Sequence, residues 1–258
     1  MTHKDIYTKF MIEYDKANVT SSYPSLTEYE IATVLDKAYN ALIAQKVTGN
    51  NARRVGFEMD IKAISDLAPL VVHDHRQFFD DDHTPAVNIK PYKLPENFDY
   101  YVQSYLEYNI KEGQPYDNAH VRLLPVRLVP HYVAEKFFTS AYNMPWIKIP
   151  VCYIEEDTVY VVYDLLNKPQ IEDGGQVHLT YIRKPNTFVK DLSLYTGING
   201  ASFFDCPRDA SDAVKEMYNF ECNGTVAEEL ISLAVTFALE NVESQRLNSK
   251  LNMRGLEA

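Results

Sequence analysis

Residues 98–110 read FDYYVQSYLEYNI. Taken at a period of 3.6 residues the stretch is a helix, and taken at a period of 2 it is a strand. The choice decides the fold. Phe98, Tyr100, Val102, Ser104, Leu106 and Tyr108 alternate with Asp99, Tyr101, Gln103, Tyr105 and Glu107. The aromatic and β-branched content fits a pleated surface better than a helix, so the stretch is expected to be a strand.

Its neighbours support a β-rich middle. VRLLPVRLV (121–129) reads as extended and broken by Pro125, and PHYVAEKFFTSAY (130–142) as a short helix with Pro130 at its first position. VCYIEE (151–156), TVYVVYD (158–164) and QVHLTYIRKP (176–185) are three further strands. The turn-like separators Glu156-Asp157 and LLNKPQIEDGG (165–175) predict an antiparallel meander.

The flanks change to helical periodicity. In SLTEYEIATVLDKAYNALIAQK (25–46), Ile31, Leu35, Ala38 and Leu42 form an apolar stripe, and Ser25 with Glu28 offers a capping box. After the turn VTGNN (47–51), ARRVGFEMDIKAISDLA (52–68) places Phe57, Ile61, Ile64 and Leu67 on one face and stops at Pro69. The short linker predicts two antiparallel helices packed together. TVAEELISLAVTFALENVESQRLNSKL (225–251) is the longest helical signal, capped by Thr225 and Glu228, and its apolar arc ends at Val242. The expected class is α+β: a helical bundle from both chain ends with a β-rich antiparallel insertion. The parts are 1–70, helical; 71–190, β-rich; 191–224, a long loop region; and 225–258, a long helix and arm. Together they make one composite domain.

Composition bounds the function. The chain has 258 residues, 46% hydrophobic and 24% charged, as a folded globular protein does. Nineteen tyrosines against nine glycines suit strands and packed interfaces. A net charge of -11 disfavours holding phosphate backbones. The three cysteines, Cys152, Cys206 and Cys222, lack the spacing of a zinc site or a disulfide framework, so a reducing compartment is expected. The first residues contain no apolar signal region and no segment is apolar enough for a membrane span, so no membrane partner is expected.

One stretch tempts a catalytic reading. VHDHRQFFDDDH (72–83) holds three of the seven histidines and four carboxylates. A strand would put His73 and His75 on one face, and His83 would supply a third ligand to zinc. A metal-dependent hydrolase on His73, His75 and His83 is therefore one alternative function, and a monomeric binding module another. Against the metal, the three consecutive aspartates diverge and the stretch follows a helix stop at Pro69, so it reads as a polar loop. Phosphate-binding glycine loops, the GxSxG elbow and HExxH are all missing. The expectation is no enzyme, no catalytic residue, no metal and no cofactor.

Candidate interface residues remain. Arg53 and Arg54 put positive charge at a helix start, where it opposes the dipole; an acidic neighbouring subunit would explain them. Phe203 and Phe204 sit in LYTGINGASFFDCPRDASDA (194–213), a glycine-rich stretch that is expected to dock on another protein. Arg246, Lys250, Leu251, Met253, Arg254 and Leu256 lie near or beyond the end of the apolar stripe of the last helix, with no core of their own to enter.

LTEYEIATVLDKAYNALIAQKVTG (26–49), GFEMDIKAISDLAPLV (56–71), KLPENFDYYVQSYLEY (93–108), VHLTYIRKPNTF (177–188) and EELISLAVTFALENVESQRLNSKL (228–251) together resemble the head–tail connector (adaptor or ring) proteins of short-tailed, crAss-like bacteriophages. The stretch from Leu192 to Asn223 departs from that pattern. The resemblance implies a structural virion protein assembled in the host cytoplasm. It implies a ring of about twelve copies with closed cyclic symmetry. It also implies docking on the portal and on the next tail or ring protein, and DNA passing through the channel without sequence-specific binding.

Overall fold

The computed structural model describes residues 1–16, 26–49, 56–79, 89–108, 122–139, 145, 149–162, 176–189, 204–206 and 211–241. The chain forms two compact units. Residues 1–70 together with 185–258 make one, and 71–184 the other.

The second unit is a seven-stranded sheet: β1 (Val71–Gln77), β2 (Ile89–Lys93), β3 (Phe98–Tyr108), β4 (Arg122–Leu128), β5 (Val151–Glu155), β6 (Thr158–Val162) and β7 (Gln176–Arg183). The order across it is β1-β7-β3-β4-β5-β6-β2. β3 is a strand, as the alternation of 98–108 predicts, but it is not regular. Against β7 it slips register between Phe98 and Tyr100 and again between Tyr101 and Gln103. Each slip inserts one residue, so Phe98, Tyr101, Ser104 and Leu106 face the core, not a strict every-other set. Bulges sharpen the twist of a strand, and this sheet curls: beyond β1, the Phe79 amide donates to the Pro91 carbonyl of β2, the opposite edge.

Inside the curl lie Tyr92, Leu106, Val126, Cys152, Val159, Val161, Val177, Leu179 and Tyr181. The Tyr101 hydroxyl and Ser104 Oγ are 2.8 Å apart, which satisfies two buried hydroxyls. Desolvation pushes the phenols of Tyr92 and Tyr101 upward and the Cys152 thiol up to about 12. On the outer side of β5 and β6, helix α4 (His131–Thr139) lays Val133, Ala134 and Phe137 on Val151, Tyr153 and Val162. Being covered on both faces explains why VYVV (159–162) is an unbroken apolar run.

Three expectations are corrected. The sheet is mixed, because β4 and β5 run parallel where Arg127 and Leu128 meet Val151 and Cys152. That pairing begins only after Pro125, so a missing N–H is tolerated within a continuous β4. The three-strand meander is only a hairpin: β5 and β6 pair, β6 continues to β2, and β7 is placed between β1 and β3. Residues 71–77 form strand β1 rather than a polar loop, because their alternation matches β7 residue for residue from Val71↔Ile182 to Gln77↔Gln176.

The first unit contains α1 (His3–Lys16), α2 (Glu28–Thr48), α3 (Ile61–Leu67), α5 (Asp212–Glu216) and α6 (Gly224–Asn241). α1 buries Ile6, Phe10 and Tyr14 at i, i+4 and i+8. Thr2 and Asp5 cap its start reciprocally, each backbone N–H donating to the other's side chain. The cap of α2 is Thr27 with Glu30, two residues beyond the expected Ser25 and Glu28, and the helix ends on Gly49 at φ 73°. α6 packs on both α1 and α2. The Asp36 carboxylate accepts from the Phe188 and Val189 amides at 2.7 and 3.0 Å, pinning the chain where it returns from the sheet.

The expected helical bundle from both ends is not found. The seven-stranded mixed sheet dominates the core, and the helices among the described residues are few. The physical reason lies in the second predicted helix. It breaks into a 3-10 turn, Phe57–Met59, and the seven-residue α3, and its periodic apolar face is split: Leu67 is buried, whereas Ile61 and Ile64 are turned outward. The end of the last predicted helix, 242–251, lies outside the described residues.

The β5–β6 turn holds Glu156 at φ 53°, a left-handed conformation that glycine adopts freely. Glu156→Gly is expected to raise the midpoint of urea unfolding, by up to about 1 kcal/mol of stability. Cys152, and Cys222 whose thiol burial pushes up to about 11, are expected to stay unmodified by a thiol reagent at neutral pH in native protein and to react once it is unfolded.

Candidate interaction surface

α3 is set by an ionic core. Asp60 precedes it, and its carboxylate accepts from the Lys62 amide at 3.0 Å, capping the helix. Its inner face carries Ala63, Asp66 and Leu67, all buried. Lys46, in the last turn of α2, places its Nζ 2.7 Å from Asp66 and 2.7 Å from Glu229 of α6. Lys62 reaches the other oxygen of Glu229, also at 2.7 Å. One carboxylate thus bridges two lysines, and one lysine bridges two carboxylates.

Burial opposes the charge on Lys46, but its hydrogen bonds to Asp66 and Glu229 outweigh this and hold its pKa above the ordinary lysine value. Glu229 is desolvated as well, and the two lysines hold its pKa below the ordinary glutamate value. The stabilisation from Glu229 is present above its unfolded pKa and is lost as pH falls through the folded one. That from Lys46 is present below its unfolded pKa and is lost as pH rises through the folded one. Neutral pH keeps both.

With Asp66 inside, the opposite side of α3 is left in water. Met59 is 84% exposed, Ile61 85% and Ile64 40%. Glu58 is exposed beside them. The orientation is inverted relative to an ordinary surface helix: a carboxylate points in and two isoleucines point out.

The histidines of 72–83 are placed on the sheet. His73 and His75 share one face of β1. His73 Nδ1 lies 2.9 Å from Thr180 Oγ1, and the His75 ring meets the His178 ring edge-on at 4.3 Å. His178 Nε2 is 2.5 Å from Glu107, while Asp74 turns to the other face and pairs with Arg76. His83 lies outside the described residues. Among the described residues, no group of three or more histidines, cysteines or acids is arranged to hold a metal ion. Nor, among them, is any helix long and apolar enough to cross a membrane.

Of the interface residues proposed from sequence, Phe204 is described. It is 2% exposed and stacks on Tyr7 of α1 at 4.4 Å, so it packs within its own unit rather than awaiting a partner. Arg53, Arg54, Phe203, Arg246, Lys250, Leu251, Met253, Arg254 and Leu256 lie outside the described residues. The sequence reading passed over Lys46, Asp66 and Glu229. A signal was present: Lys46 follows Leu42 by four residues and so falls on the apolar stripe of α2, where a cation needs a buried partner.

No protein-family model matches the chain, and no curated protein matches it.

Lys46→Ala is expected to lower stability by about 3 kcal/mol, because it leaves Asp66 buried without its cation. Replacing both partners, Lys46→Met with Asp66→Leu, is expected to bring the full-length protein back to within about 1 kcal/mol of wild type. Urea unfolding followed by far-UV circular dichroism measures both.

Proposed function

We propose that the chain is a structural virion protein, one subunit of the ring that joins a bacteriophage head to its tail and docks on the portal. The reading rests on the resemblance of five segments spread over most of the chain. Within the fold, one observation carries it: an ion-anchored helix and the turn before it leave Ile61, Ile64 and Met59 toward solvent. Large apolar side chains kept outside by a buried ion network support a subunit that completes its packing in an assembly. The net charge of -11 suits a conduit that lets DNA pass without gripping it.

Electron microscopy of the phage particles, with antibody label against this protein, tests the reading. The label is expected at the head–tail junction, with averaged images of the labelled layer giving about twelve subunits around the axis. Label confined to tail fibres, or intact particles without the protein, would refute it.

A further inference from the structure

We propose that His75 and His178 form a two-histidine site for a divalent transition-metal ion of the class that imidazole prefers, zinc, copper or nickel, and that the ion links β1 to β7.

The two residues stand directly opposite each other in the β1–β7 ladder, where facing Cβ atoms are about 4.5 to 5.5 Å apart on one face of a sheet. Their ring centroids are 4.3 Å apart, with the ring planes inclined at 73°. Two imidazoles bound side by side to one ion, at about 2.0–2.1 Å each, have ring centres roughly 4.5 to 5 Å apart. His75 is exposed, so its ring is free to turn through the small remaining difference.

His178 is oriented for the task. Its Nε2 lies 2.5 Å from Glu107 of β3. A ligating histidine characteristically gives its other ring N–H to a carboxylate, which fixes the tautomer and raises the basicity of the free nitrogen. With the proton on Nε2, the lone pair is on Nδ1. These nitrogens lie on opposite edges of the ring. β7 runs between β3 and β1, so the edge turned away from Glu107 is the edge toward His75. The His75 side chain has no hydrogen-bond partner among the described residues, which leaves its nitrogens for the ion.

The surroundings select the ion. His73 shares the face, but its Nδ1 is engaged with Thr180 Oγ1 at 2.9 Å. Asp74 is on the other face and pairs with Arg76. Two ring nitrogens suit zinc, copper or nickel, and not calcium or magnesium, which take oxygen ligands. Water fills the remaining positions, so the ion exchanges. This pair differs from the centre of His73, His75 and His83 that the sequence suggests: one ligand comes from β7, and only the sheet brings the two together. Its effect is to strengthen the pairing of β1 with β7, increasingly so as the free ion rises.

Untagged full-length protein titrated with nickel chloride at neutral pH tests the site by calorimetry, with magnesium chloride as control. His75→Gln, His178→Gln and His73→Gln are compared, each checked for the wild-type fold by circular dichroism. Wild type is expected to bind one nickel ion per chain and no magnesium. Losing even an outer partner of a ligand costs about 10- to 100-fold in metal affinity, so His75→Gln and His178→Gln are each expected to weaken binding by at least that much. His73→Gln is expected to bind as wild type does. In urea, nickel at about 100 times its dissociation constant is expected to shift the unfolding equilibrium of wild type about 100-fold toward the native state, and those of the two weakened variants about tenfold or less. In proton NMR of the wild type, nickel is expected to broaden the ring signals of His75 and His178 before those of His3 and His131, a reading that needs no variant. A wild type that binds no nickel overturns the proposal. Wild-type binding by either His75→Gln or His178→Gln also overturns it, and indicates an adventitious ion only. Loss of binding in His73→Gln, or broadening that begins at His3 or His131, overturns the assignment to this pair.

Discussion

The antiparallel pairing of β1 with β7 is the constraint on which the chain's organisation depends. Val71, the first residue of the sheet unit, lies opposite Ile182 near its end. The chain therefore enters and leaves that unit one strand spacing apart, about 5 Å. The helical unit can then be assembled from two distant parts of the sequence, with Asp36 of α2 fastening the returning segment at Phe188 and Val189. β7 also pairs with β3 on its other side, so the strand that closes the unit lies within the sheet rather than at its edge. Breaking this strand would remove the partner of both β1 and β3 and so open the curl.

The curl has a sequence cause that simple periodicity hides. The two slips of β3 against β7 shift the inward set to Phe98, Tyr101, Ser104 and Leu106. Three-residue spacings in an aromatic run look partly helical, which is why 98–110 is ambiguous on paper. Its aromatic content marks it as a strand, but a bulge depends on which partner lies alongside, and that is a tertiary fact. Strand order is illegible for the same reason. β5 and β6 were legible because a two-residue turn joins them. The place of β7 between β1 and β3 follows from burying Val177, Leu179 and Tyr181 in the curl, which no local pattern specifies.

The helical unit divides in the same way. α2 was legible from its stripe. α1 carries an equally clear signal in Ile6, Phe10 and Tyr14, four residues apart and all buried. α3 could not be oriented from sequence. Its isoleucines form a regular apolar face, and the usual rule turns such a face inward. The rule fails because the buried partner of Asp66 is Lys46, far back in the chain, and a single residue of the wrong polarity on α2 gives no hint of where its counter-ion will come from.

That failure also explains why the exposed face persists. Turning α3 about its axis would bury Ile61 and Ile64, worth roughly 1.5 to 3 kcal/mol for each side chain fully buried. The same rotation would carry Asp66 into water and leave Lys46, whose side chain is only 11% exposed, relying on Glu229 alone. Taking one partner from a buried ion pair costs about 3 to 5 kcal/mol, comparable with or greater than what a partial burial of the isoleucines would return. Lys62 would also swing away from Glu229, which it now shares with Lys46. The chain therefore keeps its isoleucines in water because its electrostatics leave no better arrangement. A surface fixed in this way is formed without a partner, so docking on it would cost little conformational entropy and would leave more of the apolar burial as binding free energy.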